Sequence, residues 1–564
     1  MGETPFEHAR FLWANPEARS LREGNPAWWG ALSSPSDFLR KTETRHINLS
    51  RPDPDWPSIA ECVEEGTLVC LQDPGERGAR LFLHRSINST ADLFFLAGGD
   101  GGLVVTDHFR NAIEWSPAGT LSVTDDWLAD LLLFPDMPGN RTVFGPIRRV
   151  AHGETVRIDL ESGECRTIHQ ERLVLQGETS PEEAPGRVLE ALDRSLALFS
   201  DRPDKAVLFS GGVDSTLLKW RLGGASRAVF AGCDSPEFSF EREYAKQSAR
   251  ELGITPLALE TLEAELPALC LDALEKTGQV FPVTVFQPVF NARAFREPIP
   301  CFLSGDYADI LFGFGSARQP YFPEDPGQER RLRLPSTDPG NFAAQTYMTS
   351  DRALAERILG PEAVASAIER RLDYALRRFS FRSPEGDWRG RQAELSGFLV
   401  FFTGDWFNRY RQQAFSHGKA LHAPFSQKTV LEESRKIPLP GRYIRNGELK
   451  HILKGILRER FPGVPASGKK GGAGWPRTRL CTTGPFAGFF RRNPVPGFIP
   501  GSERHRLEEP DWDSSTVTLT CLFLSQWETM FLKKKPGPVP GTREIVFSPN
   551  GMSRDRDPAR PSRS

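Results

Sequence analysis

The spacing of apolar residues changes its period along the chain. As far as about residue 177 they come in short runs, at 67–72, 80–84, 93–97, 102–106 and 154–159, separated by turn residues, which predicts an antiparallel or mixed β domain. Residues 123–134 carry helical spacing. Ser180 and Glu183 then have capping-box spacing, and Val188, Leu192, Leu196 and Phe199 share one helical face, so a helix begins there and a domain boundary falls just before it. From Lys205 strands and helices alternate: strand 205–209, helix 215–222, strand 227–232, helix 241–252, strand 255–260, helix 262–276, strand 299–303. That alternation predicts a parallel sheet with right-handed crossovers and a ligand at the carboxyl ends of its strands. Spacing is helical over 352–375, 392–415, 449–460 and 516–532, and Pro, Gly, Ser and Arg dominate afterwards. The expected fold is therefore α/β: an α+β domain with antiparallel sheets over 1–177, a parallel-sheet domain with a helical C-terminal part over 178–532, and a disordered tail over 533–564.

Composition narrows the function classes. With 71 basic and 73 acidic residues the formal net charge is -2, which leaves no electrostatic footprint for nucleic acid or an anionic membrane. There is no run of eighteen apolar residues and no basic stretch leading into an apolar one at the start, so a cytoplasmic protein is expected. The eight cysteines are scattered without any Cys-x-x-Cys, which argues against a zinc site and against a disulfide framework.

The most telling residues sit where the strand 205–209 turns into a helix: Ser210-Gly211-Gly212-Val213-Asp214-Ser215. Glycines without Cβ let backbone N–H groups crowd an anion, Ser210 and Ser215 add hydroxyl donors, and the helix adds its positive N-terminal dipole. Asp214 would repel a phosphate unless a hard divalent cation lay between them, which makes it a Mg²⁺ ligand. No Gly-Lys-Ser/Thr follows, so this is not the ordinary P-loop; the build suits the pyrophosphate end of ATP. A second loop, Ser304-Gly305-Asp306-Tyr307-Ala308-Asp309, follows the strand 299–303. In a parallel sheet both loops open on one edge, where Asp214 and Asp309 can share a Mg²⁺ ion and Ser304 and Gly305 can join the cradle.

Together the two loops resemble the synthetase domain of asparagine synthetases and their relatives, the β-lactam synthetases and the lasso-peptide macrolactam cyclases, whose parallel-sheet domain is of the adenine nucleotide α-hydrolase type. The likeness extends to Glu241-Arg242-Glu243-Tyr244-Ala245, to the segment ending Ala423-Pro424-Phe425, to Lys450, and to Gly468-Lys469-Lys470-Gly471-Gly472. Upstream, residues 142–149 and 152–154 are similar to the end of a class II glutaminase domain. The resemblance implies an ATP- and Mg²⁺-dependent ligase that forms AMP and pyrophosphate. It implies Asp306 as the group that orients or deprotonates the incoming amine, and Lys470, then Lys469, with Lys450, as the cations that meet the developing negative charge.

Four departures point away from glutamine-dependent synthesis of asparagine. Residue 2 is glycine where glutamine-dependent members carry a nucleophilic cysteine, so the first domain is expected to be a degenerate glutaminase. Ile310, His422 and Gln427 stand where those enzymes carry Glu, Arg and Asp, which implies a changed acceptor. The leading expectation is intramolecular macrolactam formation in a ribosomal peptide, acting with a partner protease or precursor-recognition protein. The alternatives are amidation of a small carboxylate with ammonia or glutamine, and a β-lactam synthetase-like cyclisation. Sulfur transfer to tRNA would call for the Cys-x-x-Cys and basic excess that the chain lacks, and a non-catalytic binding protein is disfavoured by intact Ser210, Asp214 and Asp309.

Overall fold

The computed structural model describes residues 9–22, 27–49, 51, 54–72, 79–98, 101–117, 120–121, 125–133, 139–174, 179–280, 289, 291–313, 352–380, 406–438, 442–465, 479–480, 483–487, 492, 501–502, 523–532, 539–540, 542–548 and 551–556. Two six-stranded sheets build the N-terminal part. One runs, strand by strand, Cys165–Gln170, Glu154–Asp159, Arg80–Arg85, Gly66–Gln72, Ala27–Leu32, Arg19–Arg22, all antiparallel. Alternation along these strands sends Trp29, Val69, Leu81, Leu83, Val156 and Ile158 to one face, where they meet Phe11, Trp13, Phe95 and Val105 of the other sheet. The opposite face, with Trp28, Leu68, Cys70 and Phe82, is covered by the short helices Pro35–Thr44 and Trp56–Cys62.

The other sheet corrects one expectation. Its order is Gly551–Arg556, Arg543–Ser548, Ala9–Trp13, Leu103–Thr106, Phe94–Ala97, Arg148–Arg149. The segment expected to be a disordered tail thus contributes a strand paired antiparallel with Ala9–Trp13, Ile545 opposite Phe11. The run Ile545-Val546-Phe547 supplies the β-branched and aromatic residues that a strand needs. Arg10 on the neighbouring strand pairs with Glu544. The chain leaves the N-terminal unit at residue 174 and comes back to it 369 residues later (543 − 174), so the two units are interlaced rather than strung in series.

The second unit is the predicted parallel sheet, ordered Leu257–Thr261, Arg227–Cys233, Lys205–Leu208, Cys301–Leu303, Ala420–His422, with every neighbouring pair parallel. The helices Ala184–Ala197, Val213–Leu222 and His451–Arg460 pack over the buried face made by Ala206, Phe302 and Leu421. The helix expected over 352–375 is two, Arg352–Leu359 and Pro361–Arg378, because Gly360 takes φ +88° and proline opens the next helix.

Between the units lies a buried polar layer. Glu65 accepts from the Thr90 backbone and hydroxyl, each at 2.9 Å, and pairs with Arg411 of the helix Trp406–Phe415 at 2.9 Å; Glu65 and Arg411 are each 1 % exposed. Asp92 holds Arg85 at 3.1 Å and accepts from Asn408 at 3.2 Å and Gln412 at 3.0 Å. Removing one partner of such a pair leaves a charge buried without compensation. Arg411→Met is therefore expected to destabilise the protein by about 3–5 kcal/mol, read as a drop in the urea midpoint. An unchanged midpoint would mean the layer is not a stability element.

His108 ties the same helix to the N-terminal unit. Its Nδ1 accepts from Arg110 N at 3.3 Å, capping the helix Phe109–Trp115, so Nε2 carries the proton and faces Gln412 O and Ser416 Oγ, both at 3.2 Å. Burial pushes its pKa down to about 3. The unfolded chain takes up this proton near pH 6.5 and the folded one does not, so stability from His108 is present above that pH and is lost as pH falls toward 3. In His108→Gln the acid limb of a plot of unfolding free energy against pH is expected to be shallower than in wild type.

Candidate active site

The cradle forms where the central strand Lys205–Leu208 meets the helix Val213–Leu222. Gly211 adopts φ +73°, and a Cβ there would fall 2.5 Å from the Ala245 backbone, so only glycine lets the loop lie against the helix Ser239–Glu251. Ser248 of that helix donates to Gly211 O at 2.7 Å and holds the turn. Ser248 went unnoticed in the sequence because nothing about one serine in an amphipathic helix marks it as a loop anchor. Ser210 Oγ and Ser215 Oγ lie 3.2 Å apart across the mouth, above the first-turn N–H groups that a helix leaves without acceptors.

The second loop closes on the first. A Cβ on Gly305 would meet Asp214 Cβ at 2.8 Å and the Ser215 N atom at 3.0 Å. Because Cys301–Leu303 is the direct neighbour of Lys205–Leu208, the two loops emerge side by side, as the alternation pattern predicts. Ser304 donates its hydroxyl to Asp306 Oδ2, and Ser304 N bonds His422 O at 2.8 Å, which ties the loop to the edge strand Ala420–His422. Tyr307 stands in the left-handed region at φ +73°, an uncommon conformation for an aromatic residue, and starts the short helix Ala308–Phe312 that carries Asp309. Burial, and after it the charge of Asp306, holds the hydroxyls of Tyr307 and Tyr410 protonated, their pKa values well above the ordinary 10.0.

Asp214 and Asp309 are brought to a single cation, the ammonium of Lys450. Lys450 Nζ lies 2.5 Å from Asp214 Oδ2 and also pairs with Asp309 Oδ1. Lys450 is buried and takes φ +56° at the head of the helix His451–Arg460; a Cβ on the neighbouring Gly313 would sit 2.6 Å from its backbone N. Burial works against its charge, but Asp214 and Asp309 outweigh burial and raise its pKa above the ordinary lysine value. Sequence reading places Lys450 among the charge-stabilising cations, and the structure sets it against the two proposed metal ligands. Asp214 Oδ1 is left buried with no hydrogen-bond partner. Two carboxylates converging on one positive charge, with an unused buried oxygen beside a phosphate cradle, fit a Mg²⁺ ion and a nucleotide. Lys469 and Lys470 lie outside the described residues.

The sequence profile of the asparagine synthase family matches residues 187–492, which is 306 of the 564 residues and takes in both loops and Lys450. The chain belongs to the asparagine synthase family. It is accordingly a member of a family of ATP-dependent ligases, and its parallel sheet is the family's ATP-binding domain. No individual curated protein matches the sequence. In this member the residues at the three acceptor-side departures are all buried. Ile310 is 4 % exposed within the main core, Gln427 is completely buried at the start of the helix Lys428–Lys436, and His422 is 1 % exposed with Nε2 bound to Glu17 at 2.7 Å.

Proposed function

We propose that this protein is an AMP-forming carbon–nitrogen ligase whose acceptor amine belongs to the substrate itself, most specifically one that closes a macrolactam in a ribosomally made peptide. The observation that carries this reading is the fate of Ile310, His422 and Gln427. Where the resemblance calls for charged side chains to grip a small amino acid, this chain has three buried residues, none of them a carboxylate or an arginine. A site without that grip suits an acceptor held by contacts spread over a larger molecule.

The N-terminal unit supports the same reading. Its described thiols offer no nucleophile: Cys62 and Cys70 are buried, and burial raises the pKa of Cys62 and of half-buried Cys165, so both stay protonated. Glu65, Arg85 and Arg411 of the buried layer act by charge on Tyr307 of the second loop, which would give this unit a structural part there.

The chain's own groups divide the work. Asp214 and Asp309 would hold Mg²⁺, which when bound neutralises the charge of departing pyrophosphate; Ser210, Gly211, Gly212 and Ser215 present hydroxyl and N–H donors to the phosphates, with Ser304 and Gly305 completing the wall. Asp306 would orient the amine and take its proton. Lys450 keeps the two carboxylates from repelling each other. The test is incubation with ATP, Mg²⁺ and a linear precursor peptide bearing both a free amine and a carboxylate. AMP release with loss of one water from the peptide is expected. AMP release only with ammonia and a small acid would sink the macrolactam reading while leaving adenylation standing.

A further inference from the structure

The scattered cysteines argue against a zinc site by their spacing, yet the fold brings one of them beside two other possible metal donors. Three donors from distant segments meet at the seam between the units: Glu17 from the turn after the strand Ala9–Trp13, Cys301 at the start of its strand, and His422 at the end of the edge strand. One carboxylate oxygen, the Cys301 Sγ and one imidazole nitrogen all lie within 4.8 Å of one another, the only such group of metal-binding side chains among the described residues. Parallel pairing of Cys301 with Ala420 and Leu303 with His422 sets Cys301 and His422 two positions apart along the register, and so on one face of the sheet.

We propose that Glu17, Cys301 and His422 form a binding site for a borderline divalent ion, zinc above all, that fastens the N-terminal unit to the edge of the ATP-site sheet. Cys, His and a carboxylate are the donor set zinc favours, with bonds of about 2.0–2.3 Å that put tetrahedral donors roughly 3.5 Å apart. Glu17 Oε2 and His422 Nε2 are 2.7 Å apart, and all three donor atoms lie within 4.8 Å of one another. The protonation states also suit a ligand set. Burial lowers the His422 pKa below the ordinary value, and at Glu17 the hydrogen bond from His422 and the charge of Arg202 work against burial and favour the ionised carboxylate. Burial pushes the Cys301 thiol up to about 12, so binding would expel one proton: a divalent ion enters and H⁺ leaves.

The surroundings serve as an outer shell. Arg202 donates to Glu17 Oε1 at 2.8 Å and Oε2 at 3.1 Å and would fix the carboxylate from behind. Phe199 packs on the His422 ring at 5.0 Å, and with Leu303 and Ala420 it encloses Cys301 in apolar side chains. Cys301 and His422 are 3 % and 1 % exposed, but the Glu17 side chain is 23 % exposed, so an ion would enter, and a fourth ligand water would sit, on the Glu17 side. His422 O receives the N–H of Ser304, so an ion here would brace the second ATP-site loop one residue away.

The test is titration of the whole protein with Co²⁺ in excess Mg²⁺, which keeps cobalt off Asp214 and Asp309. One cobalt per chain is expected, with the near-ultraviolet thiolate-to-cobalt band and the visible bands of a tetrahedral site, displaced by one equivalent of Zn²⁺. Cys301→Ser should lose the thiolate band, and Glu17→Gln, which keeps one acceptor oxygen for Arg202 and whose urea midpoint is measured alongside, should weaken binding by about tenfold or more. No thiolate band in wild type, the same band in Cys301→Ser, or wild-type affinity in Glu17→Gln each overturns the proposal and leaves Glu17, His422 and Arg202 as a hydrogen-bonded seam only. The readout is optical and independent of ligase activity.

Discussion

Asp214→Asn is expected to lower ATP–pyrophosphate exchange by about a hundred- to a thousandfold, the loss typical when one preorganised electrostatic contact to the reacting centre is removed. The change is isosteric. It keeps an acceptor oxygen for Lys450, so the fold and the thermal midpoint should hold while the anionic charge on the buried Oδ1 side disappears. The loss should appear in kcat with a shift of the Mg²⁺ dependence to higher concentration, because a neutral amide binds a hard cation far more weakly than a carboxylate. Asp309→Asn should follow the same pattern. Exchange at the wild-type rate in Asp214→Asn would overturn the assignment of the whole cradle.

That site was legible in the sequence to the degree that its chemistry is local. Ser210 to Ser215 declares itself because strand, glycines, hydroxyls and helix start within ten residues, and the alternation after Lys205 is enough to set Ser304 to Asp309 on the same edge. What stayed hidden is long-range. The edge strand Ala420–His422 is only three residues long and lacks any period, so its place beside Cys301–Leu303 follows from tertiary packing alone. Lys450 reaches Asp214 across 236 positions, and nothing in a helix-starting lysine foretells the pairing. The composition around the Arg543–Ser548 strand hides it: Pro, Gly and Arg on both sides outweigh three strand-forming residues until Ala9–Trp13 offers them a partner. Likewise Glu17, Cys301 and His422 are invisible to any motif of fixed spacing, since 284 and 121 residues separate them (301 − 17 and 422 − 301).

Lys450→Met should uncouple two roles that the resemblance merges. With the ammonium gone, Asp214 and Asp309 face each other across a partly buried gap without the cation they shared, and removal of one member of such a network costs about 3–5 kcal/mol, less what solvent reaching the partly exposed Asp309 returns. Methionine fills most of the volume, so the loss is electrostatic rather than a cavity effect. In EDTA the urea midpoint should therefore fall sharply. Millimolar Mg²⁺ should restore much of it, because a divalent ion can take the place between the carboxylates, and wild type should show no comparable gain. If activity at saturating Mg²⁺ recovers with stability, Lys450 is a holder of the empty site. If stability recovers and turnover does not, the lysine also meets charge during the reaction, as expected from the sequence. Equal midpoints for Lys450→Met and wild type in EDTA would show that the two aspartates do not converge on Lys450 in solution.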